Sequence, residues 1–113
     1  MDAALRQLSD TLDLATQRLI DEARLLNGAD LRAPSLLPGW SRAHVLAHLA
    51  RGADAMRSLL AGARAGQDRP AYASSEARDA AIETSAAAEA SDLATDLASS
   101  SMALRTVARQ LPD

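Results

Sequence analysis

Ser41-Arg42-Ala43-His44-Val45-Leu46-Ala47-His48-Leu49-Ala50, entered through Pro38-Gly39-Trp40, decides the fold. Ser41 can accept a hydrogen bond from the free N–H groups of a first helical turn, and Trp40 just outside can pack on that turn. Val45, Leu49, Gly52, Met56, Leu59 and Ala63 then step by 4, 3, 4, 3 and 4 residues. That spacing predicts a helix stripe carried to about Arg64 and closed by Gly66.

Upstream, Leu5, Leu8, Leu12, Ala15, Leu19 and Leu26 recur at mostly helical intervals, which predicts one long helix from about Asp2 to Asn27. Asn27-Gly28 is expected to end it, with glycine supplying a left-handed closing residue, ahead of a linker broken by Pro34 and Pro38-Gly39. Downstream, Gln67 to Ala73 reads as a loop, and Ser74-Ser75 as the cap of a shorter, Ala-rich helix near 76–87. A last helix is expected from Ser91, with Asp92 near its positive end, carrying Leu93, Leu97, Leu104, Val107 and Leu111 until Pro112 stops it. Ser99-Ser100-Ser101 within that helix marks either close packing or a solvated face, and serine's weak helix propensity favours the solvated face.

The 113 residues fit a single domain, and with two per cent aromatics and no Phe its core must be Leu, Ala, Val, Ile and Met. An all-α, up-down helical bundle follows, with three long helices and one short one. Such bundles ordinarily want four long helices, so one wall is expected to be missing.

Charge and composition exclude several functions. All twelve basic residues are Arg, scattered among acids, and the net charge of −3 does not suit phosphate neutralisation, so no nucleic-acid partner is expected. No stretch approaches the roughly 20 apolar residues of a membrane span, and the start lacks a signal peptide's regions, which points to a cytoplasmic protein without a membrane partner. With no cysteine, any thiol chemistry must use a borrowed thiol.

His44 and His48 stand four apart on one side of the helix and could approach a single divalent cation. His44, near the third helical position, is as well placed to answer the Ser41 cap. His48 lies beside the apolar stripe, and Gly52 and Ala55 further along leave room for a pocket near its ring. Trp40 reads as an anchor over the first turn. Arg42 and Arg51 are candidates for gripping a substrate carboxylate, against the ordinary reading of surface arginines. Asp10, Asp13, Asp21, Glu22, Asp92 and Asp96 read as solvated faces.

The stretch Ser35 to Ala50, with Leu36-Leu37-Pro38-Gly39-Trp40-Ser41 and Ala47-His48-Leu49, resembles the N-terminal domain of mycothiol-dependent maleylpyruvate isomerases, a branch of the DinB-like bundles. Arg69-Pro70-Ala71-Tyr72-Ala73-Ser74-Ser75-Glu76-Ala77-Arg78 is similar to the same family's passage between its second and third helices. The resemblance implies a bundle holding a divalent metal, usually zinc, through one histidine matching His48 and a Glu-x-x-x-His pair on a further helix. It implies mycothiol as the cofactor thiol. The implied reaction turns maleylpyruvate into fumarylpyruvate by thiolate addition, bond rotation and elimination. The Glu, the second His and a C-terminal domain would lie beyond Asp113, so the 113-residue chain alone is expected to be inactive, a family member cut short. Its partners would be the small-molecule substrate and either a missing C-terminal chain or a second copy in a homodimer. The alternative is a non-catalytic helical module that buries an open apolar seam by self-association or against a partner.

Overall fold

The computed structural model describes residues 2–111, and among these every regular element is a helix: α1 (Ala3–Ala23), α2 (Gly28–Arg32), α3 (Arg42–Arg64), α4 (Ser75–Ala86) and α5 (Ala90–Arg109). Three long helices and a shorter fourth, α4, match the expectation; α2 is an addition. Pro112 lies outside the described residues.

The start signals act as their chemistry predicts. Ser41 Oγ accepts the His44 N–H, Ser74 Oγ accepts from Ala77, and Asp2 accepts from Leu5 at 2.8 Å. The end of α1 differs from expectation. Its helix closes at Ala23, and Asn27 instead caps α2: its side chain accepts the Asp30 N–H at 2.8 Å while Asp30 answers to the Asn27 N–H at 3.1 Å. Gly28 is thus the first residue of a helix and not a left-handed stop; positive φ among the described glycines is confined to Gly39 and Gly66. An Asn with Asp three residues on is a reciprocal cap, which outweighs the stop signal carried by Asn-Gly. The start of α5 falls one residue before Ser91, at Ala90, and Glu89 caps it without a side-chain hydrogen bond.

The core is built where α3 runs along α5, with α4 packed on α3 and α2 also touching α3. Its buried side chains are Ala43, Leu46, Ala47 and Ala50 of α3, Leu93, Ala94, Leu97 and Ala98 of α5, Ile82 and Ala86 of α4, Leu31 of α2, and Ile20 and Ala23 of α1. The buried face of α3 is therefore one step round from the predicted stripe. Leu49 and Met56 of that stripe are exposed, as are Leu5, Leu8 and Leu12 of α1. Alanine explains the offset: small side chains let two helices approach closely, and a hydropathy stripe weighted by large residues overlooks them.

Polar ties join the helices. Arg51 of α3 reaches Asp96 on α5 at 2.5 Å, Asp54 at 3.1 Å, and the hydroxyls of Ser85 and Ser100 at 3.3 Å each. Ser100 is buried, so close packing prevails over solvation at the middle of the serine run. Asp96 is likewise half-buried in this tie. Asp13 and Asp10 of α1 clasp α5 through Arg109 at 2.5 and 3.0 Å, and Asp13 also meets Arg105 at 3.1 Å. These carboxylates hold the Arg109 guanidinium above its ordinary pKa, chiefly through the hydrogen bond it donates to Asp13. Asp10, Asp13 and Asp96 are thus helix-to-helix contacts, where the sequence suggested solvated faces. Arg32 donates to the carbonyls of Ala86 at 2.5 Å and Ala88 at 2.6 Å, closing the C-terminal end of α4 from α2.

No described helix is long and apolar enough to cross a membrane. Because Leu97 is 2% exposed at the centre of the core, Leu97→Ala should cost about 2–5 kcal/mol in urea denaturation. Leu36→Ala, at a fully exposed position, should change stability by no more than about 0.5 kcal/mol.

Candidate functional site

The approach to α3 is fixed by a tight turn. Pro38 sets the chain, and Gly39 at φ +78° takes the left-handed position that a turn of type II requires, with Trp40 N–H bonded to Leu37 carbonyl at 3.1 Å. Ser35 secures the return: its N–H and hydroxyl both donate to the Trp40 carbonyl at 2.9 Å, and its oxygen accepts from Leu37 at 3.0 Å. The turn delivers Trp40 onto the two histidines, with ring centroids 6.2 Å from His44 and 5.5 Å from His48. Trp40 also packs against the core, as the anchor reading expected.

Shared contact with Trp40, stacked for His44 and tilted for His48, does not give the histidines a shared task. His44 Nδ1 lies 3.2 Å from the Ser41 N–H and 2.7 Å from Ser41 Oγ, completing a reciprocal cap. Its Nε2 meets both oxygens of Glu83 on α4, at 3.0 and 3.1 Å. Accepting the Ser41 N–H leaves Nδ1 without a proton, so Nε2 carries the hydrogen donated to Glu83. Both nitrogens are engaged, and His44 has none to offer a cation beside His48.

His48 opens onto a groove of about 440 Å³ between α1 and α3, floored by α5. Leu12, Leu19 and Ile20 form one wall, Leu49, Gly52 and Met56 the other, and Leu97 and Met102 the floor. Leu49, Gly52 and Met56 of the predicted stripe line this groove, which accounts for the exposure of Leu49 and Met56. A Cβ at Gly52 would meet nothing within 4 Å, as the expected space near His48 requires. Ala55 is instead buried away from the groove, and Ala53 takes its place in the lining.

The far side of the His48 ring faces α4. Arg78 Nη2 stands 3.3 Å from His48 Nδ1. Arg78 points there because Ile82 and Ala86, one and two turns on, face the core between α4 and α3. A guanidinium only donates, so Nδ1 presents its lone pair and Nε2 carries the proton. The sequence missed Arg78; its helix was legible, but which face meets α3 depends on packing. Of the two arginines named for substrate, Arg51 is bound into the Asp54 and Asp96 tie, and Arg42 is exposed.

Among the described residues, no group of three His, Cys, Asp or Glu side chains could hold a metal ion. The donor set is one imidazole, His48, at the rim of an apolar groove. One imidazole fits one member of a metal's ligand set and does not by itself make a site.

The reciprocal cap gives a direct test. His44→Ala should cost about 1 kcal/mol in thermal or chemical denaturation, whereas His44→Gln, which can still reach back to the Ser41 N–H, should lose less than half of that.

Comparison with known proteins agrees with this architecture. Two crystal structures of mycothiol-dependent maleylpyruvate isomerase, one of them a histidine-to-alanine mutant, superpose with a TM-score of 0.90 at 28% identity over 96% of this chain. The chain spans 45% of the length of those solved proteins. No curated protein matches. A family model described as the mycothiol maleylpyruvate isomerase N-terminal domain matches residues 12–113, and the chain belongs to that family.

Proposed function

We propose that this chain forms the N-terminal part of a metal- and mycothiol-dependent isomerase acting on maleylpyruvate, or of a related thiol transferase. The observation that carries the reading is His48, a half-buried imidazole opening onto the α1–α3–α5 groove in a chain of this family. His48 would be a neutral ligand to a divalent metal, with zinc the expected ion. When bound, the metal favours the thiolate form of a coordinating thiol, and with no cysteine in the chain that thiol is external. The groove presents an apolar leucine and methionine lining that would seat the helix bringing the remaining ligands and, once covered, would exclude water. Trp40 fixes the ring plane of His48, and the His44–Glu83 pair holds α4 against α3 so that the rim keeps its shape.

The non-catalytic alternative rests on the same groove, since exposed Leu12, Leu49, Met56 and Met102 form an apolar surface that a second copy or a partner could cover. Metal content separates the two. The polypeptide bearing this chain and the sequence that follows it should bind about one zinc and isomerise maleylpyruvate when mycothiol is added. His48→Ala should weaken zinc at least about 10-fold and remove the activity. Stoichiometric zinc retained in His48→Ala would sink the proposal, and a zinc-loaded protein with no isomerase activity would overturn the isomerase reading and leave the thiol transferase. A metal-free protein that self-associates in gel filtration would favour the interaction module.

A further inference from the structure

Arg78 touches the one imidazole proposed as a metal ligand, yet it is the wrong partner for a ligated histidine. A metal-bound imidazole ordinarily donates its other N–H to an acceptor. Arg78 instead offers a donor, 3.3 Å from Nδ1. Ligation through Nδ1 would use the lone pair that Arg78 faces. Ligation through Nε2 would move the proton to Nδ1, where a guanidinium cannot accept it. Either mode ends the contact and frees Arg78 Nη2 at the rim of the groove.

The other arginines near the site are occupied. Arg51 is held by Asp54 and Asp96, Arg105 by Asp13, and Arg109 by Asp10 and Asp13. The acid partner of Arg78 is its chain neighbour Asp79, 3.1 Å from Nη1, with a carboxylate side chain 70% exposed. Exposed pairs of this kind hold weakly, so the Nη2 side of the fork keeps its capacity for an anion. A planar guanidinium is suited to a carboxylate, which it can grip with two parallel hydrogen bonds.

We infer that Arg78 is a substrate-binding residue: it rests on His48 Nδ1 when no anion is present and takes a carboxylate of a small dicarboxylic substrate beside His48 when one arrives. This rests on the isomerase reading for its substrate class, and it replaces Arg42 and Arg51 in the role the sequence offered them.

The test uses maleate as the probe and the 113-residue chain without metal or thiol, so its outcome is independent of the zinc and activity experiment. Side-chain ¹⁵N resonances of Arg78 and the ring resonances of His48 are followed by NMR during titration. Saturable shifts at both are expected in the wild type. His48→Ala, which removes the competing lone pair, should bind maleate at least as tightly. Arg78→Met should lose affinity at least 10-fold with an unchanged melting temperature, Arg78→Lys should fall between, and Arg42→Met should match the wild type. The inference is overturned if neither the wild type nor His48→Ala gives a saturable shift. It is equally overturned if the binding survives Arg78→Met, or if Arg42→Met weakens it as much. Isomerase activity with an unmoved maleate affinity in Arg78→Met would reject Arg78 and leave the proposed function standing.

Discussion

The close contact of α3 with α5 is the constraint on which the other arrangements depend. Ala43, Ala47 and Ala50 meet a face of α5 built from Leu93, Ala94, Leu97 and Ala98. Small residues bring the axes together, and the leucines fill what remains. With this seam closed, Arg51 is forced to lie between helices, and it finds Asp96, Ser85 and Ser100 there instead of water. Largely burying this guanidinium is tolerable because carboxylates and hydroxyls answer its two terminal nitrogens, while its Nε is buried without a hydrogen-bond partner. The same seam leaves the large side chains of α3, Leu49 and Met56, turned toward α1, which makes an apolar groove out of what would otherwise be a second core.

Position 44 and position 48 show how one helix face can engage one imidazole fully in local structure and leave the other open to a groove. His44 stands at the third helical residue, within reach of Ser41, and Glu83 takes its remaining nitrogen. His48, one turn on, has no cap to serve. It has a tryptophan against its ring, a guanidinium at one nitrogen and an open groove beside it. A spacing of four residues brings both imidazoles near Trp40, but the local hydrogen bonds decide that only one is available to a ligand.

Much of this was legible in the sequence because the signals were local. The Ser41 and Ser74 caps, the Gly66 stop, the Pro38-Gly39 turn and the entry of Trp40 all depend on a few neighbouring residues, and each is where the sequence places it. The resemblance in Ser35 to Ala50 singled out the family and His48. What the sequence hid depended on contacts between distant segments. Asn27 is ambiguous by itself and becomes a cap through Asp30. Arg51, Asp96 and Asp13 look like solvent-facing charges until α5 is laid against α3 and α1. The buried stripe of α3 escaped because its members are alanines, whose burial follows from how close a neighbour comes. Arg78 escaped for the same reason: only the docking of Ile82 turns it toward His48.

The attachment of α1 has a consequence for how the groove behaves. Near its C-terminal end α1 is held by apolar burial of Ile20 and Ala23, and further toward its start by the carboxylates of Asp10 and Asp13 on Arg105 and Arg109. Salt screens the second anchor, which lies largely at the surface, and leaves the first almost untouched. Ionic strength therefore acts on one end of this wall alone. High salt should weaken the hold of α5 on the N-terminal half of α1, at the Leu12 and Met102 end of the groove, more than the apolar hold near Ile20.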